Sequence, residues 1–188
     1  MTTIINRVRR NHGLEHATIH LLSAKHKNFS AQGNSDHRGF SLNVYGDLTL
    51  EDVETAVYEA HKRLSAGESH LAVHQNCGTV LITMGTLAAI ASQLAFGFEE
   101  RRQKRSQMNL AVFTAALPTA VLATIVALIV GRPLGIKLQA NYTVEGEMGG
   151  LQISRIRATR PNIITQLFRL LLGGGKLKST AYRIETVQ

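Results

Sequence analysis

Three titratable residues stand close together near the start of the chain: His12, Glu15 and His16. Residues four apart on a helix sit one above the other, so the imidazoles at 12 and 16 can reach one metal ion from one side of a helix. Imidazole is a common ligand of Zn²⁺, and a carboxylate beside such a pair can act as general base on a zinc-bound water. In this reading His12 and His16 are ligands and Glu15 is catalytic. A zinc site needs at least one further protein ligand. Glu68, His74 and Cys77 offer a carboxylate, an imidazole and a thiolate just ahead of a long apolar run. The other reading is a satisfied polar cluster in which Glu15 pairs with His12, His16 or Arg38, with Cys77 a small buried residue at a helix start. His20 and His26 read as surface residues.

The element that must carry the trio is a helix from about Ile4 to Ala24, where Ile4, Ile5, Val8, Ile19 and Leu22 form one apolar stripe. His12, Glu15 and His16 project into that stripe, and ionisable groups on a buried side are costly unless paired, ligated or neutralised. Lys25 to Arg38 is polar and reads as a loop around Gly33, Asn34, Ser35 and Asp36. Gly39 to Gly46 alternates as a strand. Thr49 and Asp52 form a capping box for a second helix whose apolar side is Val53, Ala56, Val57, Ala60 and Leu64 and which Gly67 ends. Leu71 to His74 reads as a short strand.

Two stretches without formal charge follow, Thr79 to Phe98 and Ser106 to Gly131, separated by Glu99, Glu100, Arg101, Arg102, Lys104 and Arg105. A membrane-crossing helix needs about 20 mostly apolar residues. Neither stretch carries the polar stripe of a soluble bundle helix, and Gly85, Ala89, Ser92, Ala111 and Ala115 permit close approach. The expectation is an integral, multi-pass membrane protein in which residues 79–131 form a transmembrane helical hairpin, with spans at 79–98 and 108–130. An even number of crossings leaves residues 1–78 and 132–188 on one side, where they build an α+β extramembrane domain together. Beyond the hairpin, Gly131, Pro133 and Gly135 read as helix breakers. Ile136, Leu138, Ala140, Tyr142 and Val144 alternate with polar residues as a strand, Leu151 to about Ala158 reads as another, and Thr180 to Val187 as the last. Ile163, Ile164, Leu167, Phe168 and Leu171 form one side of an amphipathic helix, lying in the membrane interface or covering the sheet.

The net charge of +8 is concentrated after the hairpin, where nine Lys and Arg face three Asp and Glu. Beside a bilayer such a surface, with Arg155, Arg157, Arg160 and Arg169, meets anionic lipid headgroups. The absence of Trp and the few Phe and Tyr among the basic residues argue against nucleic acid. A lone cysteine permits no intrachain disulfide, and the N-terminus lacks the pattern of a cleavable signal peptide. The basic turn at 101–105 favours a cytoplasmic turn with both ends outside, whereas a domain preceding the spans without a signal favours the opposite; the side stays open.

The stretches His12-Gly-Leu-Glu-His-Ala-Thr-Ile-His20, Asp36-His-Arg-Gly-Phe-Ser-Leu42, Gly67-Glu-Ser-His-Leu-Ala-Val-His-Gln-Asn-Cys-Gly-Thr79 and Arg132-Pro-Leu-Gly135 resemble a family of small bacterial membrane proteins of unknown function. That resemblance implies a two-span protein of the bacterial inner membrane with a mixed domain, and it carries no catalytic assignment. The five residues His12 to His16 also resemble the His-x-x-Glu-His segment of inverted zincin metallopeptidases. The function expected is a membrane protein with a zinc site, a zinc-dependent hydrolase or peptidase. The alternative is a non-catalytic accessory or assembly subunit that binds other membrane protein subunits.

Overall fold

The computed structural model describes residues 3–27, 30–104, 109–161 and 179–188. The chain divides into two compact units, one of Met1–His74 with Ala140–Gln188 and one of Gln75–Gln139.

In the first unit helix α1 (Ile4–Lys25) starts at Thr3, whose hydroxyl accepts from the Asn6 amide, and buries Leu14, Ala17, Ile19 and Leu22. Helix α2 (Leu50–Ser65) begins with the expected capping box between Thr49 and Asp52 and buries Val53, Ala56, Val57, Ala60 and Leu64. Strands β1 (Ser30–Asp36), β2 (Gly39–Tyr45), β3 (Gln152–Thr159) and β4 (Ser179–Val187) make one antiparallel sheet in the order β1-β2-β4-β3. Phe40, Leu42 and Val44 of β2 and Tyr182 and Ile184 of β4 share a core with the apolar sides of both helices. The Tyr182 hydroxyl donates to the Leu48 carbonyl at 2.7 Å, satisfying its polar end inside that core. Because β4 pairs with β2 on one side and β3 on the other, the last residues of the chain sit in the middle of a sheet begun before the apolar helices.

Three sequence expectations are corrected. The polar run 25–38 is not all loop, because Ser30–Asp36 pairs along its whole length with β2, from Ser30 opposite Tyr45 to Asp36 opposite Gly39. Its ladder comes from its partner rather than from side-chain hydrophobicity, which is why no apolar pattern announces it. Leu71 to His74 is not a strand; a single 3₁₀ turn, Ser69–Ala72, takes its first two residues. The alternating segment 136–145 is not a strand either. Helix α4 runs to Leu138 and continues as a wider helical turn, Gln139–Thr143. The expected helix over 163–171 lies outside the described residues.

The second unit explains that last correction. Helix α3 (Gly78–Arg102) and helix α4 (Leu110–Leu138, capped by the Asn109 side chain) pack against each other. A Cβ at Gly131 would lie 3.0 Å from the Met84 Cα, and one at Gly135 would lie 2.8 Å from the Val80 Cα. Phe96 stacks on Phe113 with ring centroids 5.7 Å apart. These contacts run in opposite order along the two helices, and the glycines mark close approach rather than helix ends. Pro118 and Pro133 are both inside α4. Both helices are long and apolar enough to cross a membrane.

Candidate metal centre

Helix α1 carries His12, His16 and His20 at successive four-residue steps, so their imidazoles form a row. The His12 and His16 ring centroids are 4.3 Å apart. His74, which follows the 3₁₀ turn, lies beside the row, its ring centroid 5.6 Å from that of His16 and 4.9 Å from that of His20. His16 is buried and the other three rings are half-buried.

Backbone carbonyls decide the tautomers. His12 Nδ1 is 2.9 Å from the Thr143 oxygen and His16 Nδ1 is 2.7 Å from the Ala72 oxygen. A carbonyl only accepts, so each Nδ1 carries the proton and each Nε2 is the basic nitrogen. One ring nitrogen of His12 and one of His16 lie within 4.8 Å of each other. His20 is held the other way round, its Nε2–H donating to the Val73 oxygen at 2.9 Å.

The carbonyls are themselves fixed. Arg9 donates through Nη2 to the oxygens of Asn141 at 3.2 Å and Val144 at 3.0 Å, on either side of Thr143. The Glu145 amide donates to the Arg9 oxygen at 3.0 Å. Gly13 lets both anchoring segments approach α1 between the two histidines: a Cβ there would overlap the Glu145 oxygen and lie 3.1 Å from the Ala72 Cβ. Arg10 holds the same stretch one turn on, donating through Nε to the Glu147 oxygen at 2.9 Å.

The remaining site candidates fall elsewhere. Glu15, 4 % exposed, points at the sheet, where the Ser35 hydroxyl donates to its Oε2 at 2.6 Å. Gly33 leaves the room, since a Cβ there would overlap the Glu15 carboxylate. Glu68 is gripped by Arg63, whose Nε donates at 2.9 Å and whose Nη2 makes a second contact. Those hydrogen bonds hold its carboxyl below the ordinary value. Cys77 belongs to the second unit, where it is buried at the start of α3. His20 is no surface residue, as it is half-buried against His74; the 12, 16, 20 spacing was the signal for it. His26 is half-buried too, 3.9 Å from the Asp52 carboxylate.

The chain is 32 % identical over 99 residues to an uncharacterized protein of Picosynechococcus sp. (strain ATCC 27264 / PCC 7002 / PR-6), an alignment covering 47 % of each chain. The chain thus spans about half the length of the curated relative it matches. No solved structure matches it. Residues 7–156, which hold α1 with its histidines, the turn before α3, both apolar helices and most of β3, match the profile of a family described as a domain of unknown function, DUF6391, and the chain belongs to that family.

Proposed function

We propose that the protein is an integral membrane metal-binding protein, in which α3 and α4 form a transmembrane hairpin and the α+β unit holds a zinc-class ion on His12 and His16. The observation that carries this reading is the pair of neighbouring imidazoles, ring centroids 4.3 Å apart, each pinned through Nδ1 by a backbone carbonyl, of Thr143 and of Ala72. Metal-ligating histidines almost always donate their other ring N–H to a carbonyl or carboxylate, which fixes tautomer and ring plane ahead of binding. His74 beside His16 supplies a third imidazole. Glu68 is engaged by Arg63 and has no part in this set.

Glu15 acts here as a strut between α1 and β1. A zinc-dependent hydrolase using Glu15 as its base would require that carboxylate to leave Ser35, so metal holding is the reading the geometry favours over peptidase chemistry. For the membrane, support comes from the outward side chains: Ile82, Leu94, Phe98, Leu110, Leu122 and Ile129 are each about two-thirds exposed or more, and soluble proteins rarely leave apolar patches of that extent facing water.

Elemental analysis of the detergent-purified protein tests the site. One zinc per chain, lost in both His12→Ala and His16→Ala, supports it; a metal-free starting protein ends it. A second reading, a non-catalytic subunit of a membrane complex, is favoured by the same carbonyl contacts, because they also satisfy buried imidazoles without any metal. It predicts a metal-free chain that co-purifies with other membrane proteins.

A further inference from the structure

Helix α3 gives one side to α4 and leaves the other uncovered. Val80, Met84 and Leu87 meet α4 at Gly131 and Gly135, and Ala95 is buried on the same side. At about 100° per residue the opposite side carries Ile82, Thr86, Ala89, Gln93 and Gly97. The first four are exposed, and a Cβ on Gly97 would meet nothing within 4 Å. Gln93 is the one carboxamide between Thr79 and Phe98. Thr83 and Thr114 close their hydroxyls onto carbonyls of their own helices, those of Thr79 and Leu110. Gln93 meets no hydrogen-bond partner among the described residues. Water would supply one in a soluble protein, but hydrocarbon supplies none, and an unsatisfied amide there is costly. Gln93 precedes Glu99 by six residues, about 9 Å along the helix. Helical side chains lean toward the helix N-terminus, so the amide is carried into the apolar run and away from the charged turn.

We infer that this side of α3 docks within the bilayer on the same side of a second copy of the chain, with Gln93 bonded to the partner's Gln93. The inference rests on the transmembrane reading above. A carboxamide both donates and accepts, so two of them across a two-fold axis satisfy each other and need no partner of different sequence. No charged side chain lies on this face from Ile82 to Gly97, which leaves an acidic or basic partner nothing to pair with. Ala89 and Gly97, one turn to either side of Gln93, let the two backbones come close enough for those amides to meet.

Oxidative cross-linking of the full chain in phosphatidylcholine vesicles tests the contact. The parent chain, whose lone cysteine is buried at the start of α3, gives the background. Ala89→Cys should form a disulfide-linked dimer, whereas Ile129→Cys, exposed on α4, should stay at background. In the Ala89→Cys chain, Gln93→Leu should raise the protein-to-lipid ratio needed for half cross-linking by about three- to thirtyfold, and Gln93→Asn should recover part of it. A chain held in the membrane through an alkaline wash that does not cross-link at 89, or does so equally with Gln93→Leu, overturns the dimer and leaves the transmembrane reading standing. Cross-linking from 89 in native membranes to a different protein alone overturns the second copy as occupant. Release of the chain by the alkaline wash removes both readings.

Discussion

Gly13 sits between the two imidazoles it serves. With any side chain there, the Glu145 oxygen and the Ala72 methyl would have to back away from α1, and each shift moves a carbonyl that sets a histidine tautomer. Gly13→Ala is therefore expected to cost about 1–3 kcal/mol of stability by overpacking and to weaken Zn²⁺ binding by about tenfold or more. Chemical denaturation and competition with a zinc chelator check the two effects. Arg9→Ala separates them: it frees the Asn141 and Val144 carbonyls flanking Thr143 and should lower metal affinity through His12 with less loss of stability. Asp36 supplies a pH effect away from the site. Partial burial opposes its ionisation, but hydrogen bonds from Arg183 and from the Arg38 amide outweigh that, so its carboxyl titrates below the ordinary value of 3.8. A carboxyl with a lower value folded than unfolded contributes stability above its unfolded value and loses it as pH falls through its folded value. The acid limb of a thermal-stability profile below about pH 4 should accordingly be shallower in Asp36→Asn.

Among the elements, those with local instructions are the ones the sequence announces. The α2 helix carries its start signal, Thr49 with Asp52, and its apolar side in consecutive turns. The β1 strand carries neither, because it is stitched to β2 by backbone bonds and packed by Gly33 against a glutamate of another element. The end of α4 departs from the sequence expectation because glycine has two opposite uses: it breaks helices in water and joins them where backbones must approach. Gly131 and Gly135 serve the second use. Gly135→Leu should therefore separate α3 from α4 near Val80, and cross-linking between cysteines placed at 84 and 131 should fall relative to the same pair without the substitution. Equal cross-linking would show that the helices do not need that approach.

For the whole molecule, the order β1-β2-β4-β3 makes the domain dependent on both ends of the chain. A chain truncated before Ser179 loses the strand between β2 and β3 and is expected to expose its amide hydrogens throughout α1 and β2 in hydrogen exchange, while the apolar helices still fractionate with membranes after alkaline washing. What the sequence determined by itself is what repeats along the chain: two uncharged runs of spanning length, the four-residue spacing that aligns His12 and His16, and the alternation of β2, whereas the same alternation over 136–145 belongs to a helix. Tertiary structure alone decided how those imidazoles are held. Their anchors are the carbonyls of Thr143 and Ala72, 131 and 56 residues away, and every residue has a carbonyl, so no residue type marks the ones that folding brings to a histidine.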